Sequence, residues 1–166
     1  MVSKIGSAVT TKVVQRIMGP AGVNAGLASL TQSELEFAGF VDSSQIRTQN
    51  VASDMAERAL GVKYPAIHIY CEKIVNGLRE KFRSFSGAAQ ITIELRHSQD
   101  RLDGLQQRLE MYVDAAMEML NQGRGDWGDG MFFGGEYEVA FGPVKQGGKN
   151  FIQVAKVTFE IGVSKN

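Results

Sequence analysis

Hydrophobic and polar positions alternate most regularly in the last third of the chain. Tyr137, Val139 and Phe141 interleave with Glu136, Glu138 and Ala140. Beyond a Gly/Pro/Lys turn, Phe151, Ala155, Val157, Phe159, Ile161 and Val163 share one parity, and Lys156, Thr158 and Glu160 share the other. Successive side chains of a strand point to opposite faces, so this pattern predicts a half-buried antiparallel hairpin with one polar face. Pro65 introduces another strand over 66–75, with Ile67, Ile69 and Cys71 on one face and Ala66, His68 and Tyr70 on the other. Apolar character on both faces marks it as central. In the run QITIELRH, 90–97, Ile91, Ile93 and Leu95 are expected to point inward and Thr92, Glu94 and Arg96 outward.

A helical period takes over elsewhere. Val9, Val13 and Ile17 recur at four-residue steps and predict an amphipathic helix over 7–18, ended by Gly19-Pro20. Pro20 then suits the first turn of a second short helix lined by Val23, Leu27 and Leu30, although Gly22 and Gly26 weaken it. The strongest helix is expected over 101–121, with Ser98 or Asp100 as its cap and Gly123 at its end. Its apolar stripe holds Leu102, Leu105, Leu109, Tyr112, Val113, Ala116, Met117 and Leu120. Residues 32–62 carry the least pattern. An extended piece around Phe37–Val41, a polar loop DSSQIRTQN and a helix from Asn50 to Gly61 through Val51, Met55 and Ala59 are the readings there.

The element order is therefore helices, two strands, one long helix, two strands. It predicts an α+β fold with a mainly antiparallel four-stranded sheet and helices packed on one face. A single domain is expected: a helical segment 1–31, an excursion 32–62, and the sheet with the main helix over 63–166. At 166 residues, such a domain buries roughly 70% of its unfolded surface.

Composition narrows the function classes. Lys plus Arg equals Asp plus Glu at 18 each, which gives no bulk attraction to nucleic acid or an anionic membrane. The single cysteine, Cys71, allows no internal disulfide and no cysteine cluster for zinc. The N-terminal MVSKIGSAVTTK has no apolar core of a signal peptide, and no apolar run approaches the ~20 residues of a membrane span.

Candidate chemistry is sparse. Gly123, Gly125 and Gly128 spell GxGxxG, but a phosphate-binding version follows a strand and opens a helix, the reverse of the order here. Asp126 and Asp129 lack the spacing and terminal Glu of a calcium loop. The tripeptide Arg124-Gly125-Asp126 is too short to carry weight. His68 and His97 fall on strands without a Ser/His/Asp or Cys/His grouping, and read as sheet histidines satisfied by their neighbours. No catalytic, cofactor-binding or metal-binding residue is expected. Arg79, Lys81 and Arg83 mix with Phe82 and Phe85, a combination used on RNA-binding surfaces. Glu80 dilutes that patch, and phenylalanines tucked under the sheet are the expected arrangement. Trp127, Met131, Phe132 and Phe133 sit in a Gly-rich segment. Either they are exposed as a protein-contact surface, or the segment folds back over an edge of the core.

With these segments in place, the sequence resembles the tail terminator (tail completion, neck) proteins of long-tailed bacteriophages. The carrying residues are YPAIHIYCEKIVN (Tyr64–Asn76), Phe85–Gly87, IELRHSQDRLDGLQQRLEMYVDA (Ile93–Ala115) and Gly123–Val163. The match covers about residues 60–163, and the N-terminal helices only by pattern. The resemblance implies a virion protein of the tail neck, assembled in the host cytoplasm, with no enzymatic activity and no cofactor. It implies a ring, usually a homohexamer, that binds the end of the tail tube, stops its polymerisation and docks the head connector. The implied partners are other copies of the chain, the tail tube protein and the head–tail connector protein, with no membrane and no sequence-specific nucleic acid. Sequence character, not the family motif, selects two contact segments. These are Gly123–Gly135, with Arg124, Asp126, Trp127, Met131, Phe132 and Phe133, and Gly142–Asn150, with Lys145 and Lys149. The rival readings are another neck or head-closure component, a small α+β enzyme or ligand-binding domain using the His68/Tyr70 face, and a nucleic-acid-binding module using 79–83.

Overall fold

The computed structural model describes residues 4–30, 39–52 and 62–166. Among these, α1 spans Ile5–Ile17, α2 Val23–Ala28 and α3 Leu105–Gln122. The strands are β1 (Ile46–Arg47), β2 (Ala66–Asn76), β3 (Phe85–Gln99), β4 (Gly125–Gly128), β5 (Met131–Phe141), β6 (Lys145–Gly147) and β7 (Asn150–Lys165). They form one sheet in the order β1-β2-β3-β7-β5-β4, with β6 paired to β7.

The expected mainly antiparallel four-stranded sheet is thus corrected. Among the described residues, three helices accompany seven strands in a curled, mixed half-barrel sheet, and strand makes up about 42% of these residues. That is nearly twice the ordinary share of ~20–25%, so the sheet sets the architecture. The four long strands were visible as alternation, whereas β1, β4 and β6 were not. Each has two to four residues, too few for a period to register. β1 makes the sheet mixed, because Ile46 and Arg47 run parallel to Ile67 and His68. Register shifts between Cys71 and Lys73 and between Phe133 and Tyr137 bend the outer strands. Such bulges increase local twist and favour a curled sheet over a flat one.

β3 and β7 form the spine, paired from Phe85↔Lys165 to Gln99↔Phe151. Ile91, Ile93, Leu95, Val157, Phe159 and Ile161 present one continuous apolar face. α3 covers it with Leu109, Tyr112, Val113, Ala116 and Leu120. α1 packs beside it through Val9, Val13 and Ile17, as the four-residue spacing predicts. The helices therefore lie on one face of the sheet.

Two expectations about helices change. α3 begins at Leu105, after Gly104 at φ 78, and has no side-chain cap. Ser98 belongs to β3 instead, and Leu102 is exposed. Gly22 and Gly26, which weakened α2 in the sequence, are what let it pack. A Cβ on Gly22 would lie 2.0 Å from the Ile17 carbonyl oxygen, and one on Gly26 would lie 3.0 Å from Cα of Ala115 on α3. In DSSQIRTQN, expected as a loop, Asp42 caps a 3-10 turn over Ser43–Gln45 that leads directly into β1. The helix expected from Asn50 to Gly61 lies mostly outside the described residues, as do residues 37 and 38 of the expected extended piece, while residues 39–41 form no strand.

Candidate functional site

The Gly-rich segment is a β-hairpin. β4 and β5 pair through Gly125↔Phe133 and Asp126↔Phe132, and the chain reverses through Gly128, Asp129 and Gly130 at φ 81, 55 and 76. Glycine is required at 130, because a Cβ there would lie 2.1 Å from the Ser164 carbonyl oxygen. The hairpin folds back over the core edge. Trp127, Met131 and Phe133 are buried, with Phe133 wholly enclosed. Trp127, Phe133 and Phe159 form an aromatic cluster with ring centroids 5.5–6.5 Å apart. The Trp127 indole N–H donates to the Gly123 carbonyl at 2.6 Å, and the Arg16 guanidinium lies 4.3 Å from its ring centroid. These three residues consequently present no contact surface.

The remaining expected contacts separate. Phe132 faces away from the helices and is 54% exposed. Arg124 packs its stem against Gly135, and the Asp126 carboxylate accepts from the Gly128 N–H at 2.8 Å. Lys145 on β6 and Lys149 in the β6–β7 turn are exposed at the opposite end of β5. The two segments therefore occupy opposite ends of the sheet and form no common patch.

A more exposed apolar surface lies at the β2–β3 connection. The first half of β2 is buried and the second half is exposed, including Ile74 and Val75. Leu78 is 66% exposed and Phe82 is completely so. Both have left-handed backbone, at φ 47 and 63, a conformation that side-chain-bearing residues avoid and that clusters at functional positions. Phe82 thus does not tuck under the sheet as expected, and Phe85 at the start of β3 is only partly covered. Gly87 brings the two strands together, since a Cβ there would lie 1.8 Å from the Val75 carbonyl oxygen.

The second feature is a buried polar cluster on the sheet face opposite the helices. Thr92, Glu94 and Arg96 do lie opposite Ile91, Ile93 and Leu95, but they are not solvated as the alternation predicts. All three are at most 5% exposed, as is His68. The chain after β1 crosses them. His68 Nδ1 meets the Gln49 carbonyl at 3.1 Å, and Arg96 donates through Nη2 to the Val51 carbonyl. Glu94 is the hub. It accepts from Tyr70 Oη at 2.8 Å and from Arg96 Nε at 3.0 Å, with Lys156 Nζ 3.4 Å away. Burial raises its pKa, but the hydrogen bonds from Arg96 and Tyr70 outweigh this and hold it below the ordinary carboxylate value. Burial, then the bond to Glu94, pushes the Tyr70 hydroxyl up. The charges of the cluster satisfy one another, but among the described residues two of its buried atoms have no hydrogen-bond partner, Arg96 Nη1 and Thr92 Oγ1. The signal for this cluster was present in the sequence, because residues two apart on a strand share a face and Glu94 and Arg96 are such a pair.

The two histidines share no site. His97 lies on the helix face, its ring 6.1 Å from that of Tyr112, and His68 lies on the other. Burial lowers both pKa values, that of His97 to about 4 with Arg108 adding to the effect. Among the described residues, no group of three or more His, Cys, Asp or Glu side chains is arranged to hold a metal ion. No helix among them is long and apolar enough to cross a membrane. No protein-family model matches this sequence, and a search of curated proteins gives no match.

Proposed function

We propose that this chain is a ring-forming structural protein of a bacteriophage tail neck. As a tail terminator, it caps the tail tube, stops tube growth and presents the docking surface for the head connector. Its role is assembly and not catalysis. Its partners are further copies of itself, six to a ring as the resemblance implies, the tube protein and the connector protein. Assembly takes place in the host cytoplasm and places the protein in the virion.

The observation that carries this reading is the pair of uncovered sheet edges. Among the described residues, β1 pairs only Ile67 and His68 on the outer side of β2, and β4 pairs only the Met131–Phe133 end of β5. No described strand pairs with the outer edges of 69–76 and 134–141, which lie on opposite sides of the sheet. Open edges carry unpaired N–H and C=O groups and favour pairing with another chain. β2, β3, β7 and β5 are each antiparallel to the next, so β2 and β5 run in opposite directions. A rotation about an axis along the strands sets β5 of one copy antiparallel beside β2 of the next. Such a contact is heterologous and closes into a ring when the rotation closes. The exposed Ile74, Val75, Leu78 and Phe82 flank the same β2 edge, which adds apolar area at that contact.

Sedimentation and negative-stain microscopy, with and without purified tail tubes, test the reading. Closed rings, or discrete caps on tube ends, are expected. A chain that stays monomeric at high concentration and leaves tube length and tube ends unchanged overturns it.

A further inference from the structure

A cavity of about 480 Å³ opens over the buried polar cluster, between the Asn50–Ala52 segment and the β5–β6 connection. Its size lies within the ~300–1,000 Å³ range of small-ligand sites. We propose that it binds a carboxylate carried on an apolar body, held by Arg96 and Lys156.

Three observations lead there. Arg96 forms part of the wall and is 3% exposed, yet its Nη1 has no hydrogen-bond partner among the described residues. Its Nε and Nη2 are already taken by Glu94 and the Val51 carbonyl. An unpaired charged donor in the interior costs free energy until an acceptor arrives, so this position favours an anionic oxygen. Second, the wall holds Arg96, Lys145 and Lys156 against the single carboxylate of Glu94. Glu94 is occupied by Tyr70, Arg96 and Lys156, which leaves a surplus of positive charge for a ligand. Third, Phe141, Pro143, Ile152 and Val154 give the wall an apolar side, and Phe141 is 43% exposed. Those side chains give no hydrogen bonds and suit a carbon skeleton. Among the described residues one guanidinium nitrogen is left for a ligand, so recognition by Arg96 is monodentate, and the apolar wall favours an organic acid over inorganic phosphate.

Nη1 is closed off from solvent. A ligand oxygen reaches it as the Val51–Ala52 segment shifts, which links binding to the position of that segment. Every wall residue belongs to one copy, so the site does not depend on ring formation. The carboxylate has two available sources, a free organic acid or an acidic side chain of a polypeptide flanked by apolar residues.

Titration of the isotope-labelled full chain, followed by NMR, tests the site. The probes are phenylacetate, its uncharged analogue phenylacetamide, inorganic phosphate, and a capped tripeptide with glutamate between two apolar residues beside its glutamine counterpart. Saturable shifts at the amides of Val51, Ala52, Gly142 and Val154 are expected with the carboxylates. Loss of the charge should weaken binding at least about tenfold, as for a charge-assisted hydrogen bond. Lys156→Gln, at a half-exposed position that leaves Arg96 and Tyr70 on Glu94, should weaken it about three- to tenfold while the spectrum stays folded. Tighter binding of the glutamate peptide than of phenylacetate identifies a polypeptide source, and the reverse order identifies a free acid. The proposal is overturned by the absence of saturable shifts from both carboxylates at tens of millimolar. It is also overturned if phenylacetamide or phosphate binds as well as phenylacetate, or if Lys156→Gln has no effect.

Discussion

Trp127 carries more of the monomer's packing than its Gly-rich neighbourhood suggests. Its ring is wedged among Phe133, Phe159 and the Arg16 guanidinium, and its N–H is satisfied by Gly123. Trp127→Ala should therefore destabilise the isolated chain by about 3–5 kcal/mol, read from urea denaturation. A loss below ~1 kcal/mol would place the indole outside the core. His97 makes a prediction of the opposite kind. Its folded-state pKa is about 4 against an ordinary 6.5, so the folded chain favours the neutral ring. Its contribution to stability is complete above pH ~6.5 and is lost as pH falls toward ~4, since the unfolded chain takes up the proton first. His97→Phe should reduce the fall in stability between pH 7 and pH 5 by about 1–2 kcal/mol, and His68, also lowered, accounts for part of what remains. Parity placed His68 on its correct face, with Ala66 and Tyr70. It could not show that Thr92, Glu94 and Arg96 are covered, because a strand's alternation records which face a residue takes and not what another segment lays over that face. Nor did composition distinguish Trp127, Met131 and Phe133 from Phe132. That distinction follows from the pairing of β4 with β5, which puts Phe132 on the other side of the strand.

At the scale of elements, the long strands and α3 were legible because their periods run for several cycles. The three short strands were not, and their glycines were misleading. In the β4–β5 reversal, left-handed glycines make the turn that pairs two strands, and at Gly22 and Gly26 the missing Cβ allows close helix packing. Gly87 is the sharpest case. Gly87→Ala forces a Cβ to within 1.8 Å of the Val75 carbonyl oxygen unless the strands part. The expected cost exceeds ~2 kcal/mol, and amide exchange should quicken from Val75 through Ala88. A fully native exchange pattern in that variant would contradict the close approach. The same hairpin supplies a contact test. Phe82 is entirely exposed on a left-handed backbone, so Phe82→Ser should change monomer stability by no more than ~0.5 kcal/mol. If the tip is an assembly contact, the variant should weaken ring formation or tube capping by at least about tenfold. Equal assembly by the variant and the parent chain would remove the tip from the interface.

At the scale of the molecule, the question is whether the open edges meet each other in a directional way. An isologous contact, β2 on β2 or β5 on β5, makes dimers and stops, whereas β5 on β2 of the next copy continues until it closes. Lys73 and Glu136 report the difference. Lys73 pairs with Gln90 on β3, and Glu136 precedes Tyr137, which pairs with Phe159 on β7. They lie at comparable heights on the two outer strands, with β3 and β7 between them. Neighbouring strands are ~4.7–4.9 Å apart, so three strand spacings exceed the ~7 Å limit for a disulfide within one copy. In a Cys71→Ser background, Lys73→Cys and Glu136→Cys together should give, under mild oxidation, a ladder of covalent species. The ladder should end at a closed species of the ring's own copy number, which electrophoresis without reductant displays directly. Each single variant should remain largely uncrosslinked. Dimers from either single variant would instead indicate an isologous edge contact, and such a contact cannot build a ring by itself. A double variant without any ladder, in preparations where microscopy shows rings, would mean that the rings close through another surface. The β2–β3 tip would then be the next surface to test, because it exposes Ile74, Val75, Leu78 and Phe82 beside the β2 edge.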